Sequence, residues 1–446
     1  MKNIEMAKKI AERVHNHGGQ TYFVGGYVRD KILGKENKDI DIEVHNIIPK
    51  VLKSILSELG EIKTQGASFG VYNIKGYDID IAQPRSEIAT GRGHKDFEVS
   101  VDPFIGTEKA SMRRDFTINA LMEDVITGEI VDHFNGVQDI ENGIIRHIND
   151  TTFKEDALRV FRAAQFAARF GFDIADETID IMSTMDVSTL SRERVYEEMK
   201  KAMIKAPMPS TFFNVLKMAN QLDVWFPEVK ALIGCPQNPK YHPEGDVWNH
   251  TMMVIDNAAT MRDSVSNAEF FMIAALCHDF GKPVATCITE KGVQSIKHDI
   301  MGVPIAKEFM ARINNNVDLN KYVLNMVENH MALHQSFNNK SKIKSTNAKF
   351  DISICPSDMV MLTIADSMGK TNTENEEAEW ITERFNIYKE TISKPEVMGK
   401  DLMAMGIMPG PIYSEILKNT HKQHLSGRDK ESVLKDIATR YGKKGV

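Results

Sequence analysis

Cysteine is scarce in this chain: Cys235, Cys277, Cys287 and Cys355 are the four among 446 residues, far apart and with no C-x-x-C pair. That spacing argues against a disulfide framework and against a structural zinc knot, and it fits a reducing cytoplasm. Long hydrophobic runs are missing as well. The longest, Phe270 to Cys277, is much too short to span a bilayer. In the first stretch, Met1 to Gly18, the residues Lys2, Glu5, Lys8, Lys9, Glu12 and Arg13 interrupt the apolar ones, which predicts an amphipathic helix and no signal-peptide core. No membrane association is expected. Nor is one charge in large excess: the formal net charge is −7 and the pI about 6.1, so any RNA contact must come from local patches. What is present, 42% hydrophobic and 26% charged residues, suits a soluble globular protein. The length implies about two to four folding units, and the 25 methionines read as adaptable core filler.

One stretch organises the first half. Phe23-Val24-Gly25-Gly26-Tyr27-Val28-Arg29-Asp30 runs from an apolar strand through a Gly-Gly turn into a helix, and Lys38-Asp39-Ile40-Asp41-Ile42-Glu43 comes next as a second strand. Residues i and i+2 of a strand face the same side, so Asp39 and Asp41 can converge on one cation cluster. Glycines allow backbone N–H groups to approach an anion at the start of the helix. Paired carboxylates beside a phosphate cradle suit a two-metal phosphoryl-transfer site. Further on, 70–81 alternates with period two around a Gly turn and reads as a hairpin. Its second strand offers Asp78 and Asp80 on one face, with Asp80 a candidate third carboxylate. Residues 83–97 are polar and Gly-containing, which suggests a mobile loop near the site. Arg113 and Arg114, just before the helix start Asp115-Phe116-Thr117, read as a triphosphate clamp, because a guanidinium grips phosphate oxygens bidentately.

The combination Gly-Gly, Arg-Asp and Asp-x-Asp resembles the signature of the polymerase-β-like nucleotidyltransferase superfamily. The Gly-Gly-x-Val-Arg-Asp wording is similar to class II tRNA nucleotidyltransferases and their bacterial poly(A) polymerase relatives. Arg113-Arg114-Asp115 with Asn119-Ala120 resembles that family's second motif, in which Arg114 contacts the nucleotide. Asp132-His-Phe-Asn-Gly136-Val-Gln-Asp139 is similar to its third, a turn that joins the catalytic head to the helical part of the chain.

From Phe153 to Pro207 the pattern predicts only helices. Residues 152–170 read as one helix, capped by Thr151 or Thr152 and ended by Gly171. Leu158, Phe161 and Phe166 give it an apolar side, while Asp156, Arg159 and Arg162 share another. Cytosine and adenine both present an exocyclic amine donor beside a ring-nitrogen acceptor; uracil and guanine present the reverse order. A carboxylate and a guanidinium one helical turn apart match the first pattern, with Asp156 accepting from the amine and Arg159 donating to the ring nitrogen. Glu155-Asp156-x-x-Arg159 resembles the family's base-reading motif. Gln165 departs from it, since many members have an arginine there. Arg192-Glu-Arg194 is similar to the fifth motif, which braces the neck or is simply a solvated helix, and Pro207 and Pro209 mark a boundary.

The second half carries a different set. His250 lies in an amphipathic helix, His278-Asp279 ends the apolar run, and Asp366 sits in a further helical segment. Four such groups on helices suggest a metal site, and their order resembles HD-type phosphohydrolases. In those proteins His250, His278, Asp279 and Asp366 would hold one divalent metal, a transition metal or Mg²⁺, that activates water against a phosphoester. His298 and His330 would widen that site, bind phosphate or support the ligands from behind. Thr371 to Glu379 reads as a solvated acidic linker. The C-terminal helices, with Lys418, His421, Lys422, Lys430, Lys435 and Arg440, offer either a surface that tracks an RNA backbone or an ordinary one.

The resemblance covers nearly the whole chain and implies an α+β fold. A polymerase-β-like head with a mixed sheet would span 1–150, a helical neck 151–215, an all-α HD domain 216–385 and a helical tail 386–446. It implies a cytoplasmic enzyme that adds CCA to the 3′ end of tRNA from CTP and ATP, with a second, HD-type hydrolysis of 2′,3′-cyclic phosphates or phosphomonoesters. Asp39 and Asp41 would hold Mg²⁺, and Gly25, Gly26, Arg29, Arg114, Asp156, Arg159 and Arg162 would bind the nucleotide. No protein partner is expected. The alternatives are a poly(A) polymerase, a CC-adding enzyme and a degenerate RNA- or nucleotide-binding regulator.

Overall fold

The computed structural model describes residues 2–64, 71–89, 97–290, 292–370 and 376–441. They fold as two compact units, one of Met1–Ala202 with Thr211–Val224 and one of Met203–Ser210 with Trp225–Val446.

The first unit opens with α1 (Lys2–Asn16), whose stripe Met6, Ala7, Ile10, Ala11 and Val14 recurs at helical spacing and is buried. Then come β1 (Gln20–Val24), α2 (Gly26–Ile32), β2 (Ile40–His45), α3 (Pro49–Leu59), β3 (Ile62–Thr64), β4 (Val71–Ile74), β5 (Ile79–Ala82), β6 (Arg85–Ala89), β7 (Phe97–Val101), α4 (Thr107–Met112), β8 (Met122–Asp124), β9 (Ile130–Val131), α5 (Gly136–Asn142) and β10 (Ile144–Ile145). Seven strands form one mixed sheet in the order β3-β4-β5-β2-β1-β8-β9. Its pairings are antiparallel except that of β2 with β5, which is parallel and sets Asp41 level with Asp80. Along β2 the residues Ile40, Ile42 and Val44 are buried on one face, and α1 packs on β1, β2 and α3. Period two then turns Asp41 and Glu43 to the other face.

The hairpin expected around Gly76 is formed by β4 and β5, with Gly76 at φ 89°. Two expectations are corrected. The polar segment 83–97 is not simply a loop, because Arg85–Ala89 and Phe97–Val101 pair antiparallel from Arg85↔Val101 to Ala89↔Phe97; residues 90–96 lie outside those described. The helix expected from 152 to 170 is two helices, α6 (Asp150–Lys154) and α7 (Leu158–Phe170). Asn149, rather than a threonine, caps α6, its side chain accepting from the N–H groups of Thr151 at 2.9 Å and Thr152 at 3.2 Å. Asp156 lies in the break and accepts from Leu158 N–H at 3.1 Å, a local bond that competes with helix continuation and restarts the helix as a cap. Gly171, at φ 72°, ends α7 as expected. The remainder is β11 (Asp173–Ile174), α8 (Asp176–Ser183), α9 (Arg192–Lys205) and α10 (Ser210–Met218). β11 pairs with β10, so the neck is not purely helical.

The second unit is helical apart from one hairpin: α11 (Pro227–Lys230), α12 (Val247–Thr260), α13 (Ala268–Cys277), α14 (Lys282–Ala285), the hairpin β12 (Thr286–Thr289) and β13 (Gly292–Ser295), α15 (His298–Ile313), α16 (Val317–Asn329), α17 (Met331–Asn338), α18 (Ile343–Asp351), α19 (Pro356–Met368), α20 (Glu376–Ser393), α21 (Gly399–Ala404), α22 (Pro411–His424) and α23 (Lys430–Tyr441). The apolar α13 is buried from Phe271 to Cys277 and packs against α12 and α16, while α19 covers α12. The acidic stretch expected as a linker is corrected where it is described: Glu376, Glu377 and Glu379 form the first turn of α20, where carboxylates favour the positive helix end. The last three helices share a small core of Val397, Leu402, Ile416, Val433 and Ile437. No helix among the described residues is long and apolar enough to cross a membrane.

Gly281, two residues after the His-Asp pair, touches the backbone of α15. A Cβ on it would collide with the carbonyl oxygen of His298 and come within 2.6 Å of Gly302 N and 2.9 Å of Gly302 Cα. Backbone cannot swing aside as a side chain can. Gly281→Ala is therefore expected to lower stability by about 1–3 kcal/mol, read as a drop in the unfolding midpoint of the full chain; an unchanged midpoint would contradict this close packing.

Candidate active sites

In the first unit, the turn between β1 and α2 depends on Gly25, which takes φ 64° and ψ −128°. A Cβ there would also stand 3.0 Å from Arg114 Nη1. The left-handed backbone and the passing guanidinium together require glycine. Arg114 lies at the end of α4, with Nη2 3.6 Å from Glu43 Oε2. Between them opens a pocket of about 310 Å³ whose lining includes Val24, Asp41, Glu43, Asp80, Arg113 and Arg114. Burial raises the Asp41 carboxyl above its ordinary pKa; Asp80 adds to this, Arg114 opposes it and Asp39 adds again. Like charges gathered at one spot are what a bound divalent cation would relieve.

Glu43 is a residue that the sequence reading passed over. It continues the period-two series of Asp39 and Asp41, which was the signal available. It is 9% exposed, and its carboxyl is held below the ordinary range despite burial, by its bond to His45 Nε2 at 2.9 Å and by Arg114. Glu43 orients Arg114 across the pocket.

The helical residues are tied to this pocket by named bonds. Arg159 donates from Nη2 to the carbonyl of Arg113 at 2.7 Å and from Nη1 to that of Thr152 at 2.9 Å. Asp156 accepts from Arg194 Nη2 at 2.9 Å, so the arginine of α9 braces the carboxylate. Arg162 donates from Nε to Asp115 Oδ2 at 2.7 Å; burial would raise Asp115, but Arg162 and Asn119 hold it low. Arg29 is not brought to the pocket. It is buried, donates to Asp30 Oδ1 at 2.8 and 2.6 Å and to Asn119 Oδ1 at 2.5 Å, and lies over the ring of Phe170 at 4.6 Å. Gln165 is buried in α7.

In the second unit His250, His278, Asp279 and Asp366 converge. His250 Nε2 stands 3.0 Å from Asp366 Oδ1 and 3.6 Å from Asp279 Oδ2, and His278 Nε2 is 3.2 Å from that same oxygen. Each side chain is almost completely buried. His278 keeps Nδ1 at 2.7 Å from the carbonyl of Ala275, which fixes its proton there and turns the Nε2 lone pair to the centre. Glu244 Oε1 lies 3.0 Å from His250 Nδ1, close but not aligned as a hydrogen bond. Burial alone would raise the Asp279 carboxyl, but Lys282 and His278 hold it well below the usual range. Asp366 is likewise low against burial, through Lys370, His334 and His250. Burial would raise Glu244, but its contacts with His250, a backbone N–H and His242 together pull it down to about 2.

His250 Nε2 and His278 Nε2 are buried without a well-aligned hydrogen bond, and they face Asp279 Oδ2, which has Lys282 Nζ at 2.6 Å. Orphaned imidazole nitrogens aimed at a carboxylate fit a divalent ion of borderline softness. Lys282, Glu244, His334 and Glu377 went unmarked in the sequence. His334 bridges Asp366 and Glu377, each at 2.8 Å. Only Lys282, one turn after Asp279, carried a local signal.

Comparison with known proteins finds both kinds of domain. The Poly A polymerase head domain model matches residues 21–146, and the HD domain model matches 247–357; domains of these kinds use divalent metals. A multifunctional CCA protein of Actinobacillus pleuropneumoniae is 35% identical over 372 residues, covering 80% of this chain and 87% of that protein. Another, of Nitrosospira multiformis, is 37% identical over 321 residues, covering 71% of this chain and 74% of its own length. Among solved structures, the Thermotoga maritima CCA-adding enzyme complexed with tRNA superposes with a TM-score of 0.65 at 18% identity, over 98% of this chain and 95% of that one, a likeness of fold. With both domain models matched in order and relatives aligned over most of their length, the chain belongs to the multifunctional CCA protein family.

Proposed function

We propose that this protein adds the CCA end to tRNA from CTP and ATP, and that its second unit hydrolyses phosphoesters such as 2′,3′-cyclic phosphates. The observation that carries the first part is the bonding of Arg159 to the carbonyl of Arg113, which makes the base reader and the triphosphate clamp one rigid piece. A nucleotide whose phosphates lie against Arg114 then meets Asp156 and Arg159 at a fixed distance. Asp156, braced by Arg194, accepts from the exocyclic amine of cytosine or adenine, and Arg159 donates to the ring nitrogen.

Asp39 and Asp41, with Asp80 alongside, are the residues that would hold Mg²⁺. When bound, such ions sharpen the tRNA 3′-hydroxyl and offset charge on the departing pyrophosphate. In the transfer, the 3′-oxygen bonds to the α-phosphorus, the bond from that phosphorus to the bridging oxygen of the β-phosphate breaks, and the hydroxyl proton leaves to solvent. Arg114, oriented by Glu43, neutralises phosphate charge as it shifts to the leaving group. Gly25 and Gly26 keep the turn low enough for the phosphates. Arg162 and Arg29 support this arrangement from behind, through Asp115 and Asn119. In the second unit, His250, His278, Asp279 and Asp366 would hold a divalent ion that activates water, while Lys282 and Lys370 offer positive charge to the phosphate in the cavity they line.

Four outcomes are expected. With tRNA that ends at the discriminator base, CTP and ATP together give two C additions and one A. Asp41→Asn lowers that incorporation by at least about a hundredfold; long A-tails or UTP transfer by the parent protein would sink the assignment. Asp156→Ala removes one charge-assisted hydrogen bond to the base, so discrimination of CTP over UTP, measured as a ratio of kcat/KM values, is expected to fall by about 10- to 150-fold. Asp279→Asn is expected to abolish metal-dependent hydrolysis of a nucleoside 2′,3′-cyclic phosphate with CCA addition unchanged. Loss of both activities would count against separable sites.

A further inference from the structure

The cavity of the second unit is larger than a phosphate group needs. Its volume is about 410 Å³, within the range of about 300–1,000 Å³ that suits whole small molecules. Lys282, Lys370, Asp279 and Asp366 supply the charges of its phosphoester end. Other parts of the lining differ in kind: Tyr241, Val293 and Met331 offer apolar surface, and Asn238 and Gln294 offer side-chain amides. None of these five groups bears on the cleavage of a P–O bond.

Tyr241 stands out among them, because it lines the cavity and is still 60% exposed, so its ring does no work in the core. A lone exposed aromatic is ordinary on a protein surface. This one is held in place. It lies in a short turn in which the N–H groups of Tyr241 and His242 donate to the carbonyl of Asn238 at 3.0 and 2.9 Å, and Pro239 and Pro243 restrict the backbone on either side. Lys240 Nζ stands 5.2 Å from the centre of the ring, a cation–π contact that steadies the side chain.

The turn is also anchored to the phosphoester end. Gln237, buried just before it, accepts from Lys282 Nζ at 2.7 Å and donates to the carbonyl of Asp246 at 3.1 Å. His242, just after Tyr241, bonds to Glu244 at 2.7 Å and sets its ring edge-on to that of His250, with centroids 5.0 Å apart. The β12–β13 hairpin comes up beside the same turn, since a Cβ on Gly292 would stand 3.5 Å from Asn238 Nδ2. Lys282 in turn contacts Asp279 at 2.6 Å. Tyr241 is therefore presented at a fixed reach from the place where the phosphate would lie.

We propose that Tyr241 is the platform on which the base of a nucleoside phosphate stacks while its phosphate lies at Lys282 and Lys370, so that this ring decides which phosphoesters the second unit accepts. The proposal rests on the reading of that unit as a phosphohydrolase. Every nucleobase has a π-face, so a stacking platform favours esters that carry a base without choosing among the four. The amides of Asn238 and Gln294 offer donors and acceptors to the sugar. In hydrolysis of a 2′,3′-cyclic phosphate the water oxygen bonds to phosphorus, one ring P–O bond breaks, and a proton of that water ends on the freed ribose oxygen. Tyr241 meets only the base and acts on binding.

The test compares two cyclic esters that undergo the same cleavage, adenosine 2′,3′-cyclic phosphate and glycerol 1,2-cyclic phosphate, which has no base. Full-length protein is assayed with Mn²⁺ added. In Tyr241→Ala the ratio of kcat/KM for the first ester over the second is expected to fall about tenfold, chiefly through KM, and Tyr241→Phe, which keeps the ring, is expected to restore it. The guanosine, cytidine and uridine esters should fall in parallel with adenosine. An unchanged ratio, an equal loss on both esters, or no recovery in Tyr241→Phe overturns the proposal. Calorimetric titration with adenosine 2′-monophosphate and glycerol 2-phosphate reads the same preference as a ratio of Kd values without turnover, and nucleotide binding at the head is common to both chains. Failure of the underlying reading looks different: the parent chain hydrolyses neither ester, and the titration then decides by itself whether Tyr241 holds a base.

Discussion

Both units depend on keeping carboxylates ionised where water is largely excluded. Burial by itself would protonate such groups at a cost of several kcal/mol. In the first unit the opposing charge comes from arginine: Arg162 holds Asp115, and Arg114 with His45 holds Glu43. In the second it comes from histidine and lysine around Asp279 and Asp366. The difference suits the two chemistries. A guanidinium stays charged and can be passed to a triphosphate, whereas an imidazole can give up its proton and become a metal ligand.

Arg29 shows how supporting groups transmit position. Its guanidinium links Asp30 of α2 to Asn119, Asn119 donates to Asp115 at 2.9 Å, and Asp115 receives Arg162 of α7. On the other side, Asp30 accepts from Asn37, whose carbonyl oxygen receives the N–H of Asp39 at 2.9 Å. The segment that leads into Asp39 and the helix that carries Arg162 are thus fastened through one chain of polar contacts. The Arg-Asp pair of the opening stretch belongs to the frame of the site and not to its surface.

Local signals were legible where chemistry and periodicity coincide. The Gly-Gly turn, the hairpin around Gly76, the stop at Gly171 and the His-Asp pair at the end of an apolar helix were all readable from neighbours in sequence, whereas Asp39, expected on the strand with Asp41, falls just before β2. The boundary between α6 and α7 was missed because Asp156 looks like a helix-face residue until its side chain is seen to cap Leu158. Glu376 and Glu377 read as solvated linker because acidic runs usually are; the neighbouring His334, which binds Glu377, is 43 residues away.

The sequence alone determined residue types and their spacing: the i, i+2 pair Asp39 and Asp41, the glycines that admit a left-handed turn, and the three-residue step from Asp156 to Arg159. Only the tertiary structure decided which of these groups meet. Asp80 joins Asp41 because β5 pairs parallel to β2, Arg159 reaches the carbonyl of Arg113 at the end of α4 from 46 residues further along the chain, and His298 reaches Asp279 because Gly281 and Gly302 let two backbones touch. Such meetings arise from strand register and helix packing, which are set by the burial of apolar faces across the whole unit and leave no mark within a few residues of the groups they unite.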